Sequence, residues 1–222
     1  MAPQATIRIY YDVVSPFSYF CFNQLLRYEQ IWTNVVFEKI PFFLGGIMQG
    51  SGNQPPATIP AKANYMMKYD IKHYTEMYKL PYSTPSIFPA QTLLPMRVLT
   101  ALKMQKDEEG LLQATKSLFN AYFTKDADIG TPEVVEECIA FLGKDRASKL
   151  MQAAQSAEVK SQLKKVTDEA LKKGAFGSPT MWVSKAGEEH EEMFFGCDRL
   201  EHIAYYLDLP YLSFCQTLRP KL

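Results

Sequence analysis

Hydrophobic positions in this chain follow a strand-like pattern near both ends and a helical one through the middle. Residues 7–11 form a β-rich run, residues 16–31 carry apolar side chains at helical spacing, and residues 35–43 are again β-branched and aromatic. Strand, helix and strand are predicted in that order, a βαβ opening. Gly45 and Gly46, then Gly50, Gly52, Pro55 and Pro56, predict a break in regular structure and a loop whose backbone can approach a ligand closely. From about residue 60 to 173 the spacing predicts helices over 61–73, 93–105, 108–123, 132–141, 146–152 and 156–172, with almost no strand signal. After Gly174, strands are predicted at 180–183 and 191–195 around a turn at Lys185-Ala186-Gly187-Glu188. Asp198 and Glu201 then have the spacing of a capping box that opens a last helix.

A βαβ opening and a ββα closing are the two halves of a thioredoxin fold. The stretch between them is too long for a structureless loop. The expected fold class is therefore α/β: a thioredoxin fold from residues 1–45 and 174–222, interrupted by an inserted all-helical domain at 46–173.

Composition narrows the partners. Lys plus Arg and Asp plus Glu both number 24, so the basic footprint of a nucleic-acid binder or a polybasic membrane-surface protein is missing. No apolar run approaches the roughly 20 residues of a membrane span, and no signal-type segment follows Met1. A soluble intracellular protein acting on small molecules is expected. Cys21, Cys138, Cys197 and Cys215 show no paired spacing and are expected to be reduced, and His73, His190 and His202 stand too far apart to suggest a metal site.

Chemistry is expected where the first strand meets the first helix. Asp12-Val13-Val14-Ser15-Pro16-Phe17-Ser18 leads an apolar strand into Ser15, a good N-cap, and Pro16, suited to the first helical position. A helix start presents unpaired N–H groups and a partial positive charge that would hold a thiolate. Redox proteins of this fold place Cys-x-x-Cys here. Ser15 and Ser18 occupy those two places with hydroxyls, so the thiol must arrive with the substrate and a dithiol oxidoreductase is disfavoured. Downstream, Ser178-Pro179 precedes a strand where a proline suits the edge or start. A cis bond there would expose the Ser178 backbone to an extended peptide ligand.

Several segments together resemble the kappa-class glutathione transferases. They are 12–18, Gly46-Ile47-Met48 with Ser51-Gly52-Asn53-Gln54-Pro55-Pro56, Pro60-Ala61-Lys62, Gly174-Ala175-Phe176-Gly177-Ser178-Pro179, and Phe195-Gly196-Cys197-Asp198-Arg199. The resemblance spans nearly the whole chain, and related proteins include DsbA and bacterial 2-hydroxychromene-2-carboxylate isomerases. It implies a DsbA-like insertion rather than the appended helical domain of common soluble glutathione transferases. It also implies that the Ser15 hydroxyl bonds the sulfur of reduced glutathione and favours its thiolate, with Pro16 and Phe17 bordering the site. Asn53 and Lys62 would hold the glycyl end or close over it, Lys62 as a mobile point charge. The backbone of Ser178, before Pro179, would pair with the cysteinyl unit, so its side chain is expected to matter little. Cys197 and Asp198 fall at the γ-glutamyl site, with Asp198 receiving the ammonium group and Arg199 beside it. Cys197 stands where the kappa pattern has serine, and Phe17 replaces tyrosine or a related aromatic. Phe17, Phe20, Phe42 and Phe43 suit either an electrophile pocket or the core.

The activity implied is conjugation of glutathione to small hydrophobic electrophiles in detoxification. Peroxide reduction and glutathione-assisted isomerisation start from the same thiolate, and a noncatalytic glutathione-binding protein is the rival of a different class. The resemblance also implies a homodimer without bound metal. Lys221-Leu222 matches the last two positions of the peroxisomal Ser-Lys-Leu signal, so the peroxisome is expected, with the mitochondrion as the alternative.

Overall fold

Four strands form one mixed sheet in the computed structural model, which describes residues 3–211. Strand β1 (Ala5–Tyr11) lies between β2 (Val35–Pro41), parallel to it, and β3 (Thr180–Lys185), antiparallel to it. Strand β4 (Glu191–Phe195) closes the order β2-β1-β3-β4. This is the expected thioredoxin sheet. Between β1 and β2 runs α1 (Pro16–Tyr28), and after β4 comes α10 (Leu200–Leu207). Between β2 and β3 lie α2 (Leu44–Ser51), α3 (Pro60–Tyr65), α4 (Ile71–Tyr78), α5 (Leu93–Met104), α6 (Glu108–Phe123), α7 (Pro132–Cys138), α8 (Lys144–Ala153) and α9 (Ala157–Lys172).

Strand alternation gives the sheet two different faces. Ile7, Ile9 and Tyr11 enter the main core, where they join Phe22 of α1, Leu99 of α5, Phe119 of α6 and Ile203 of α10. Tyr10 points the other way, into a smaller core with Trp182, Phe42, Ile47 and Ala170 under α2 and α9. Farther along that face Arg8 pairs with Glu38 and Glu191, and Glu191 also with Lys173.

Three expectations change. The glycine run does not break the chain, because α2 passes through Gly45, Gly46 and Gly50. A Cβ on Gly50 would stand 2.5 Å from Leu171 Cδ1 and one on Gly46 3.1 Å from Thr167 Cγ2, so these glycines let α2 lie close to α9. Only Gly52, at φ +70°, ends the helix as a left-handed cap. Helix 61–73 is part of a longer run, α3 passing through a π-helical turn (Met66–Asp70) into α4. The capping box also fails: α10 begins after Arg199, no side chain caps it, and Asp198 Oδ1 curls back to 2.6 Å from where a Cβ of Gly196 would stand. Cys215 and the Pro220-Lys221-Leu222 terminus lie outside the described residues.

Candidate active site

The first turn of α1 is nearly complete as a set of hydrogen bonds. Four N–H groups at a helix start have no partner within the helix. Here Pro16 has none to offer, Ser18 N–H donates to Ser15 Oγ at 3.1 Å, and Tyr19 N–H donates to the Ser15 carbonyl at 3.0 Å. No acceptor for the Phe17 N–H occurs among the described residues, so one donor remains at the positive end of the helix. Ser15 is 6% exposed, and its hydroxyl donates to the Ser178 carbonyl at 3.0 Å.

The Ser178–Pro179 bond is cis, and the loop that carries it rests on α1. Ser178 was expected to act through its backbone alone. Its side chain is instead buried in the junction, with Oγ accepting the Asp12 N–H at 3.2 Å and sharing a 2.7 Å hydrogen bond with Ser18 Oγ. Both hydroxyls are removed from solvent, so replacing either would leave buried polar groups without partners.

Asp12 ends this chain of contacts. Its carboxylate is fully buried, and burial raises its pKa to about 6 while the Leu44 and Val14 N–H groups and the Thr92 hydroxyl pull it down. Ser18 holds the second hydroxyl of the sequence motif, whereas the motif by itself gives Asp12 no role. The available signal was an acid set among apolar neighbours, which a buried strand end tolerates only when its oxygens are bonded.

The outer residues are arranged differently. Asn53 is exposed and uses both ends within the protein: its Nδ2 donates to the Phe176 carbonyl at 2.7 Å, and its Oδ1 accepts the Gln54 N–H at 2.8 Å. This ties the end of α2 to the loop before Ser178. Lys62 is exposed on α3 and forms no hydrogen bond or ion pair among the described residues. The chain returns to the junction through Gly196, whose N–H donates to the Pro179 carbonyl at 3.1 Å. The Cys197 thiol is buried against the Tyr74 hydroxyl, and burial pushes its pKa up to about 12, so it stays a neutral thiol. Asp198 is half-exposed and pairs with Arg199 at 3.2 Å. Of the four phenylalanines, Phe20 and Phe42 are core residues. Phe17 and Phe43 are only partly buried, and Phe17 meets Tyr74 edge to face.

Residues 6–208 match the model of the DSBA-like thioredoxin domain. Glutathione S-transferase kappa 1 of Rattus norvegicus is 35% identical over 208 residues, 90% of each chain. The chain belongs to the kappa-class glutathione transferases. The Homo sapiens kappa 1 protein is 34% identical to this transferase over 209 residues, 91% of this chain and 90% of that one. A solved structure of 2-hydroxychromene-2-carboxylate isomerase superposes on the transferase with a TM-score of 0.74 at 21% identity, covering 91% of this chain and 94% of that one. That likeness extends the shared fold across the helices between β2 and β3.

Proposed function

We propose that this transferase conjugates reduced glutathione to small hydrophobic electrophiles, with Ser15 as the residue that activates the sulfur. The observation that carries this reading is the Ser15 hydroxyl at the start of α1, donating to the Ser178 carbonyl beside the free Phe17 N–H. When the cysteinyl unit of glutathione pairs with Ser178, its N–H takes that carbonyl and the Ser15 hydroxyl turns to the sulfur. The thiolate then has an O–H donor, an N–H donor and the helix start, where an ordinary thiol with a pKa of about 8.5 would be mostly protonated. The thiol proton leaves to solvent. The sulfur bonds the electrophilic carbon, and the leaving group departs with its electron pair.

Asn53 and Lys62 serve the glycyl end in this reading, and the Cys197 backbone, Asp198 and Arg199 serve the γ-glutamyl end. Phe17 and Phe43, the two partly open members of the four phenylalanines named from the sequence, supply the apolar wall for the electrophile. The sheet with α1 and α10 acts as one unit and residues 46–173 as an insertion that frames the site. We place the protein in the peroxisome as a homodimer, the mitochondrion being the alternative address. Import of a fluorescent fusion with and without Lys221-Leu222 checks the first point, and sedimentation of the purified chain checks the second. The central test is conjugation of 1-chloro-2,4-dinitrobenzene by purified protein. Product formation dependent on glutathione supports the transferase reading, whereas tight glutathione binding without turnover would reduce the protein to a binding module.

A further inference from the structure

Asp12 is a fully buried carboxylate three residues before Ser15, and the chemistry proposed above has no task for it. Its neighbours Tyr11, Val13 and Val14 are apolar and buried, so the core by itself asks for an apolar side chain here. The side chain is instead bonded at both oxygens. Oδ1 accepts the Val14 N–H at 3.0 Å, and Oδ2 accepts the Leu44 N–H at 2.9 Å and the Thr92 hydroxyl at 3.1 Å. The main chain is engaged as well: the Asp12 carbonyl accepts the Ser15 N–H at 3.1 Å, and the Asp12 N–H donates to Ser178 Oγ. Val14 and Ser15 form the turn into α1, Leu44 opens α2, Thr92 stands before α5, and Ser178 carries the acceptor of the Ser15 hydroxyl. One residue therefore joins the serine, its acceptor and two helices of the insertion.

We propose that Asp12 is a positioning residue for the thiol-activating serine, its carboxylate holding the 12–15 turn against the starts of α2 and α5 so that Ser15 keeps its place beside the Ser178 loop, from which its hydroxyl reaches the sulfur. The inference rests on the role given to Ser15. Asp12 does not touch the sulfur. An asparagine keeps the shape but presents an N–H₂ group to one set of donors, so the turn loses an anchor and the hydroxyl its fixed place.

The test compares wild type, Asp12→Asn and Ser15→Ala by calorimetric titration with glutathione, turnover of 1-chloro-2,4-dinitrobenzene, and the ultraviolet absorbance of bound glutathione thiolate against pH. For Asp12→Asn we expect glutathione affinity within about threefold of wild type, while kcat falls by about ten- to a hundredfold, the scale of roughly 1 Å of misplacement at a reacting centre. The thiolate pKa should rise in both variants. A kcat within twofold of wild type overturns the proposal, and so does a loss of activity matched by an equal loss of binding-competent protein. If Asp12→Asn does not fold, Thr92→Val removes one of the three donors alone. It should lower kcat by about threefold at unchanged affinity, and an unchanged kcat there also overturns the proposal. A Ser15→Ala variant whose thiolate pKa equals that of wild type refutes the serine role itself, a result separable from failure of the Asp12 variants.

Discussion

Two helix starts flank the candidate glutathione site, and they solve the same problem in opposite ways. At α1, Ser15 caps the helix, Pro16 removes one donor, and the surrounding hydroxyls are buried and bonded across to Ser178. At α10, no side chain caps the helix, and Asp198 turns back over Gly196 and pairs with Arg199 at the surface. A buried polar group must keep its partners, whereas an exposed one exchanges them with water at little cost. The difference separates a closed end, whose polar groups are bonded within the protein, from an open end whose charges face solvent.

The comparison is broken most directly at its closed end. Ser15→Ala should lower the conjugation rate by about 10²–10³-fold, the loss seen when one donor to a developing negative charge is removed. Glutathione affinity should stay within a few-fold, and the lost cap should cost about 1 kcal/mol of stability. Steady-state kinetics with a parallel chemical melt measure both, and an unchanged thiolate pKa would count against the assignment.

Asp12 sharpens the contrast through pH. Its pKa is raised from 3.8 to about 6 in the folded protein, chiefly by burial. The folded state therefore holds more protons than the unfolded state between those values. The stability this group contributes is fully present below the lower value and is lost as pH rises through the upper one. Relative to Asp12→Asn, wild type should gain about 3 kcal/mol on going from pH 7 to about pH 3.5, two pKa units at 1.36 kcal/mol each. Denaturant melts at the two pH values check this, and an equal difference at both would mean that Asp12 titrates as an ordinary aspartate.

Ser178→Ala removes the acceptor of the buried Asp12 N–H and the partner of Ser18, and should destabilise the protein by about 2 kcal/mol. A change below about 0.5 kcal/mol, the size of an ordinary surface substitution, would return Ser178 to a backbone-only role. The smallest structural effect belongs to the open end. Asp198→Asn breaks only a half-exposed pair, so the melting temperature without ligand should barely move. Glutathione binding should still weaken by about 1.5 kcal/mol through loss of the charge-assisted bond to the ammonium group. Calorimetric titration showing equal affinity would move the γ-glutamyl site elsewhere.

The local pattern determined much of this. Helix α6 and strand β4 lie where the sequence places them, because a long amphipathic helix carries its period in its side chains and a short aromatic-ended run after a turn reads locally as a strand. Ser15 and Pro16 announced the α1 start for the same reason: a cap and its helix are neighbours in sequence. The glycines of α2 misled because their use depends on a partner more than a hundred residues away, the surface of α9. Asp198 carried the right residue type and spacing for a cap, yet the backbone turn at Gly196 directs its carboxylate elsewhere. The same limit hid Asp12. Whether an acid at a strand end is bonded or exposed depends on α2, α5 and the Ser178 loop arriving together, contacts spanning 32, 80 and 166 residues. Sequence by itself determined most of the elements and the serine at the helix start, since these rest on neighbouring residues. Tertiary structure decided which polar groups would be buried around that serine, since only folding brings their partners within hydrogen-bond reach.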